Sequence, residues 1–232
     1  MAIAIEIHDM SVGWAARRLM PELDLRLVHG ETLAIVGPGG SGKSTTLRVI
    51  EEVVRGRSPS GDEAPWWRGT AASGVADCLR MRQHGDRHGE TIRELLSARG
   101  LARREDWMPR GESERSLLHA VFELSLADAP ETLRRFVSFA LVAYAPSPLL
   151  LFDEPCFGLR GAWLDTVRAR LLALAERGQT MVLVTHHLPL ARALADHVML
   201  IVDGQIIESA RTADFFERAQ HPRTRQFLRW GA

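Results

Sequence analysis

The stretch Leu33-Ala-Ile-Val-Gly-Pro-Gly-Gly-Ser-Gly-Lys-Ser-Thr45 constrains this chain more than any other. Residues 33–36 form a short apolar run suited to a buried strand. A glycine-rich loop follows, and the sequence predicts a helix opening at Ser44 and running to about Arg55. Gly37, Gly42, Lys43 and Ser44 match the phosphate-binding spacing G-x-x-x-x-G-K-[ST]. Glycines let the backbone turn tightly enough for several N–H groups to face one anion. The helix behind the loop adds unpaired N–H groups and the positive end of its dipole. Residues 37–45 (Gly37, Pro38, Gly39, Gly40, Ser41, Gly42, Lys43, Ser44 and Thr45) are therefore expected to cradle a polyphosphate. Lys43 should reach the β- and γ-phosphates, and the Ser44 hydroxyl should take a place on Mg2+. Lysine usage supports the match. Lys43 is the only lysine among 232 residues, and the remaining basic side chains of the 29 are arginines. An ammonium and a guanidinium are not interchangeable around phosphates, so the one lysine stands where the motif needs it.

A second stretch completes the chemistry. Leu149-Leu-Leu-Phe-Asp-Glu-Pro155 is a buried-strand pattern with two carboxylates at its C-terminal end, the end at which open α/β sheets bind ligands. Asp153 is placed to hold Mg2+, and Glu154 to orient or deprotonate an attacking water. Residues 180–185 form another apolar strand, followed by His186 and His187. No cysteine or carboxylate cluster accompanies the two histidines, which argues against zinc. A histidine at this strand end is in position to contact a γ-phosphate.

The remaining patterns set the frame. Residues 2–8 and 23–28 alternate like half-buried antiparallel strands, with Trp14 between them as either a base-stacking aromatic or a strand-end packing residue. Residues 56–74 are rich in Gly, Pro and Ser and read as loop, with Trp66 and Trp67 covering the core. Residues 75–81 suggest a strand, and residues 83–89 a polar turn. Helical spacing dominates from 91 to 145, with helices expected over 112–125 and 133–144. Further on, the pattern predicts a helix over 162–177, a short helix over 188–195 and a hairpin turning at Asp203-Gly204. A closing helix over 214–228 is broken near Pro222. The expected architecture is α/β: a P-loop NTPase core of mostly parallel sheet, an N-terminal antiparallel β-subdomain and a helical lobe inserted at about 90–145. All of it falls within one domain over 1–232.

Composition excludes several classes. Net charge is zero, which gives no support to nucleic-acid binding. Two cysteines, Cys78 and Cys156, are too few for a disulfide framework and suit a reducing compartment. No apolar run approaches the ~18 residues of a membrane helix, and the N-terminus lacks the layout of a signal peptide.

These motifs together resemble the ATP-binding subunits of ABC transporters, over nearly the whole chain. Residues 37–45 resemble the Walker A loop, residues 149–155 Walker B with its catalytic Glu154, and Val184-Thr-His186 the switch-histidine segment. The resemblance implies a role for Trp14 in stacking on adenine and for Gln83 as the loop glutamine that touches Mg2+. It also implies MgATP as ligand, integral membrane permease subunits and a second ATPase subunit as partners, and a peripheral place on the cytoplasmic membrane face. The tail from Asp203 to Leu228 is most similar to importers of polar amino acids or phosphate.

Two segments depart from the family. Its Leu-Ser-Gly-Gly-Gln signature either falls without gaps on Ala129-Pro-Glu-Thr-Leu133 or matches its leucine to Leu133 and loses the rest, and the segment after Walker B is Cys156-Phe-Gly-Leu-Arg160, with arginine where the family has aspartate. Glu131 would bring negative charge toward a phosphate bound by the opposite subunit, and the missing glycines would bar close approach. The resemblance thus implies weak hydrolysis by the chain alone. The competing expectation is a nucleotide-sensing regulatory or assembly protein with little ATPase activity. A DNA-repair or translation ATPase would need a coiled-coil insertion or a second ATPase domain.

Overall fold

The computed structural model describes residues 2–14, 17–57, 65–82 and 89–230. Two sheets carry the fold. In the first, β1 (Ile3–Trp14) lies between β2 (Arg17–Val28) and β4 (Pro65–Ser73), all antiparallel. The second has six strands in the order β5-β6-β7-β3-β8-β9. These are β3 (Thr32–Val36), β5 (Leu79–Met81), β6 (Leu150–Asp153), β7 (Met181–Val184), β8 (His197–Val202) and β9 (Gln205–Arg211). All neighbours are parallel except β8 and β9, which form the hairpin expected at Asp203-Gly204.

The helices are α1 (Lys43–Val54), α2 (Ile92–Ala98), α3 (Glu112–Ala120), α4 (Glu131–Ala143), α5 (Gly161–Glu176), α6 (Leu188–Leu194), α7 (Thr212–Glu217) and α8 (Pro222–Trp230). The break at Pro222 separates α7 from α8, because proline fits the first turn of a helix and not its interior. The α/β architecture with an antiparallel N-terminal sheet is the one the sequence predicts.

β3, β6 and β7 are fully buried, which is why they read as unbroken apolar runs. One apolar cluster fills the space between the antiparallel sheet, α1 and the central strands. A second joins α2, α3 and α4 to α5 and the other face of β6 and β7. Phe136 ties this second cluster together, meeting the Trp163 ring edge-on at 4.6 Å.

The segment 56–74 corrects one expectation. It is not loop throughout: β4 occupies Pro65–Ser73 and pairs with β1 from Ile5↔Ser73 to Trp14↔Pro65. Its small residues misled the sequence reading, because glycine and alanine carry no strand preference of their own. At Gly69 the reason for smallness is direct. A Cβ there would lie 2.6 Å from the Met10 Cα, so only glycine lets the two backbones approach. Trp67 is half-buried against the sheet cluster and covers it as expected. The strand expected over 75–81 shortens to β5, and the helix expected over 112–125 ends at Ala120.

Candidate functional site

Register brings the chemistry to one edge. Ile35 of β3 and Asp153 of β6 both pair with Val184 of β7, so the three strands end together. The loop 37–42, Asp153-Glu154 and His186 all leave the sheet at this edge.

The loop uses glycine for close approach at Gly37 and for left-handed backbone at Gly40 and Gly42. Gly37 has φ +147°, and a Cβ on it would sit 2.0 Å from the Ile201 carbonyl oxygen. Gly40 and Gly42 adopt φ of +74° and +106°, and no atom lies within 4 Å of a Cβ built on Gly39 or Gly40. Gly42 caps α1 with no side-chain hydrogen bond, and the first turn carries no acidic residue. The helix therefore offers its first N–H groups to the cavity rather than to its own side chains. The Ser41 hydroxyl is buried beside them without a hydrogen-bond partner.

Lys43 is nearly buried, and its ammonium donates to the Gly37 and Pro38 carbonyls at 2.9 and 2.7 Å. Burial pulls its pKa down, and the charges of Glu154 and Asp153 oppose that pull. Ser44 Oγ donates to Asp153 Oδ1 at 3.0 Å, uniting hydroxyl and carboxylate as a pair of hard oxygen donors. Glu154 adopts a left-handed φ of +51°, uncommon for a residue with a side chain, and its N–H is held by the Val184 carbonyl at 2.9 Å. The Glu154 carboxylate meets His186 Nδ1 at 2.9 Å. The glycine loop, Lys43, Ser44, Glu154 and His186 line a cavity of about 680 Å³, joined by Phe157, Asp203 and Gly204.

The structure brings residues 37–45, Asp153, Glu154 and His186 together at one edge of the sheet. Trp14 ends β1, its backbone opposite Arg17 and Pro65. Gln83 lies outside the described residues.

Two arginines at the site were not anticipated. Arg80 on β5 extends to Asp153 Oδ2 at 3.4 Å and Glu51 Oε2 at 3.1 Å. Arg135 on α4 is 1% exposed, donates to the Glu154 carbonyl oxygen at 2.9 Å, and lies 5.1 Å from the Phe157 ring centroid. The available signal was an arginine inside an otherwise apolar pattern: Arg80 between Leu79 and Met81, and Arg135 before Phe136-Val137. A buried guanidinium must meet oxygen somewhere, and here the oxygens belong to Asp153, Glu154 and Glu51.

The region expected to hold the signature is different in kind. α4 begins at Glu131 with Pro130 as N-cap, no side-chain cap, and a carboxylate in its first turn. Pro130 and Glu131 are exposed.

Donor set, glycine cradle and helix terminus fit a magnesium-bound nucleoside polyphosphate. They define a P-loop NTPase. The comparisons narrow the class. The family model described as ABC transporter matches residues 20–157, more than half of the chain. The chain belongs to the ABC transporter family, as an ATP-binding domain.

Among its relatives is a glutamine transport ATP-binding protein of Bacillus subtilis, 30% identical over 97% of this chain and 97% of that protein. A glutamate/glutamine/aspartate/asparagine transport ATP-binding protein of Rhodobacter capsulatus is 28% identical over 97% of this chain and 90% of its own length. The fold agrees with solved structures. An ATP-binding subunit of an ABC transporter superposes with a TM-score of 0.69 at 20% identity, covering 98% of this chain and 95% of that one. An ATP-binding cassette in a dimeric post-hydrolysis state superposes at 0.65 and 19% identity, covering 90% of this chain and 98% of the other.

Among the described residues no helix is long and apolar enough to cross a membrane.

Proposed function

We propose that this chain binds MgATP and couples its turnover to amino-acid import, as the ATPase subunit of an ABC importer. Membrane permease subunits would be its partners, and its place the cytoplasmic face of the membrane. The names of its relatives support amino-acid transport. The helical segment 90–145 is the part we assign to docking on the permease.

Each residue has a task. The N–H groups of residues 39–44 bind the phosphates, and Lys43 leaves its loop carbonyls to neutralise their charge. Ser44 and Asp153 hold the metal, which spreads charge over the phosphoryl oxygens when bound. Glu154 accepts a proton from the attacking water, and His186 holds its carboxylate toward that water. Arg135 and the Val184 carbonyl fix the backbone of Glu154 in its left-handed turn. Trp14 is assigned to the adenine and Gln83 to the metal.

The single observation that carries the finer reading is an asymmetry. The P-loop, Asp153, Glu154 and His186 converge at one edge, whereas α4 opens on Pro130-Glu131 and presents a carboxylate where a facing site would need N–H donors. We infer that the chain hydrolyses ATP slowly by itself, and that it works with a second ATPase subunit whose signature is intact.

Turnover of the purified chain, alone and mixed with such a subunit, tests this. Loss of preorganised donors costs roughly 100-fold or more, so turnover should rise by a comparable factor on mixing. Rapid hydrolysis by the chain alone overturns the reading.

A further inference from the structure

Glu154 is held at its backbone and at its carboxylate, and Phe157 links the two holds. The Glu154 carbonyl oxygen accepts the Phe157 N–H at 3.1 Å and Arg135 Nη2 at 2.9 Å. The Arg135 guanidinium stands over the Phe157 ring, 5.1 Å from its centroid. The same ring meets the His186 imidazole at 6.0 Å, with 75° between the planes. His186 Nδ1 returns to the Glu154 carboxylate at 2.9 Å. Contact therefore runs from the Glu154 carbonyl through Arg135, Phe157 and His186 back to the Glu154 side chain.

Phe157 lines the cavity and is 47% exposed. So open an apolar ring gains little from burial, and the groups it touches give its position meaning. The His186 side chain is 60% exposed. A hydrogen bond at Nδ1 fixes one point of an imidazole and leaves the ring free to pivot about that point. An edge-to-face contact supplies the second constraint, because aromatic rings at this distance favour a near-perpendicular arrangement. The cation over Phe157 steadies that ring in turn.

We propose that Phe157 is a positioning residue for hydrolysis, whose ring sets the His186 imidazole against the Glu154 carboxylate. This rests on the MgATP reading above, which gives Glu154 and His186 the attacking water. Small errors in the placement of such groups cost turnover rather than binding.

Steady-state turnover of the full chain with MgATP, together with calorimetric titration of ATP, tests the proposal. Phe157→Ala should lower kcat about three- to tenfold, the worth of one edge-to-face contact, with the ATP dissociation constant unchanged. Phe157→Tyr, which keeps the ring, should recover most of that loss. In a chain already carrying His186→Ala, Phe157→Ala should add no further loss, because the ring acts through the imidazole. An unchanged kcat in Phe157→Ala, or losses that add in the double variant, overturns the proposal and leaves the MgATP reading standing. A weaker ATP affinity in Phe157→Ala puts the ring on the nucleotide and overturns it as well. ATP binding by a wild type that shows no turnover at all also overturns it. Absence of ATP binding by the wild type overturns the MgATP reading and this inference with it.

Discussion

Two helix N-termini in this molecule have opposite surroundings. α1 and α4 both begin without a side-chain cap, so both carry unpaired N–H groups. At α1 the cap is Gly42, the first turn has no acid, and the loop ahead has no Cβ at positions 39 and 40. At α4 the cap is Pro130, and Glu131 sits in the first turn. The Glu131 carboxylate stabilises the helix dipole from within, occupying electrostatically the role an incoming phosphate would have. An N-terminus becomes an anion site only where the chain withholds its own anion and keeps the approach open.

The largest test of that contrast is Lys43→Ala. It removes the one side-chain cation the α1 site contributes directly, and ATP affinity measured by calorimetry should fall about 100-fold or more. Thermal stability should hold or rise, because burial already disfavours the ammonium. Binding within about threefold of wild type would break the contrast.

A smaller effect is expected from making α4 resemble α1. The triple change Pro130→Ser, Glu131→Gly and Thr132→Gly installs a capping hydroxyl, removes the carboxylate and opens the backbone. Each glycine costs about 0.5–1 kcal/mol in a helix, and the serine cap returns about 0.5–2 kcal/mol, so the fold should survive. Turnover by the chain alone should rise about tenfold or more, with ATP affinity at the P-loop unchanged. Unaltered turnover would mean that the α4 terminus does not limit hydrolysis.

The contrast also explains what could be read without coordinates. Residues 37–45 and 149–154 were legible because each packs strand, turn and functional groups into one contiguous run, with spacing fixed by local geometry. The parallel strands were legible from their unbroken apolar runs. β4 was not, because Gly69, Ala71 and Ala72 form a strand only by pairing with β1, which lies more than fifty residues earlier. Arg80 and Arg135 were missed for the same reason. Their roles come from oxygens on Asp153, Glu51 and Glu154, and no local pattern announces such partners.

A third N-terminus at the same edge sharpens the comparison with the smallest expected effect. α6 follows the switch segment, and its cap is supplied from inside: His187 Nδ1 accepts the Leu190 N–H at 3.1 Å. The other ring nitrogen lies 3.0 Å from Arg168 Nη2, an obligate donor. Protonating the ring would cost the cap and set a cation beside a cation. Burial first, and Arg168 second, hold the His187 pKa below the ordinary 6.5. The sign follows from linkage. The unfolded chain takes up this proton near pH 6.5 and the folded chain resists it, so stability is full above that pH and is lost as pH falls through the lower folded value. His187→Asn keeps a capping acceptor and removes the titration. Its melting temperature should therefore fall less than that of the wild type between pH 7 and pH 5, while ATP affinity at pH 7 stays the same. An N-terminus capped by its own chain should be a matter of stability alone. A loss of ATP affinity in His187→Asn would show that α6 shares the anion-binding work of α1.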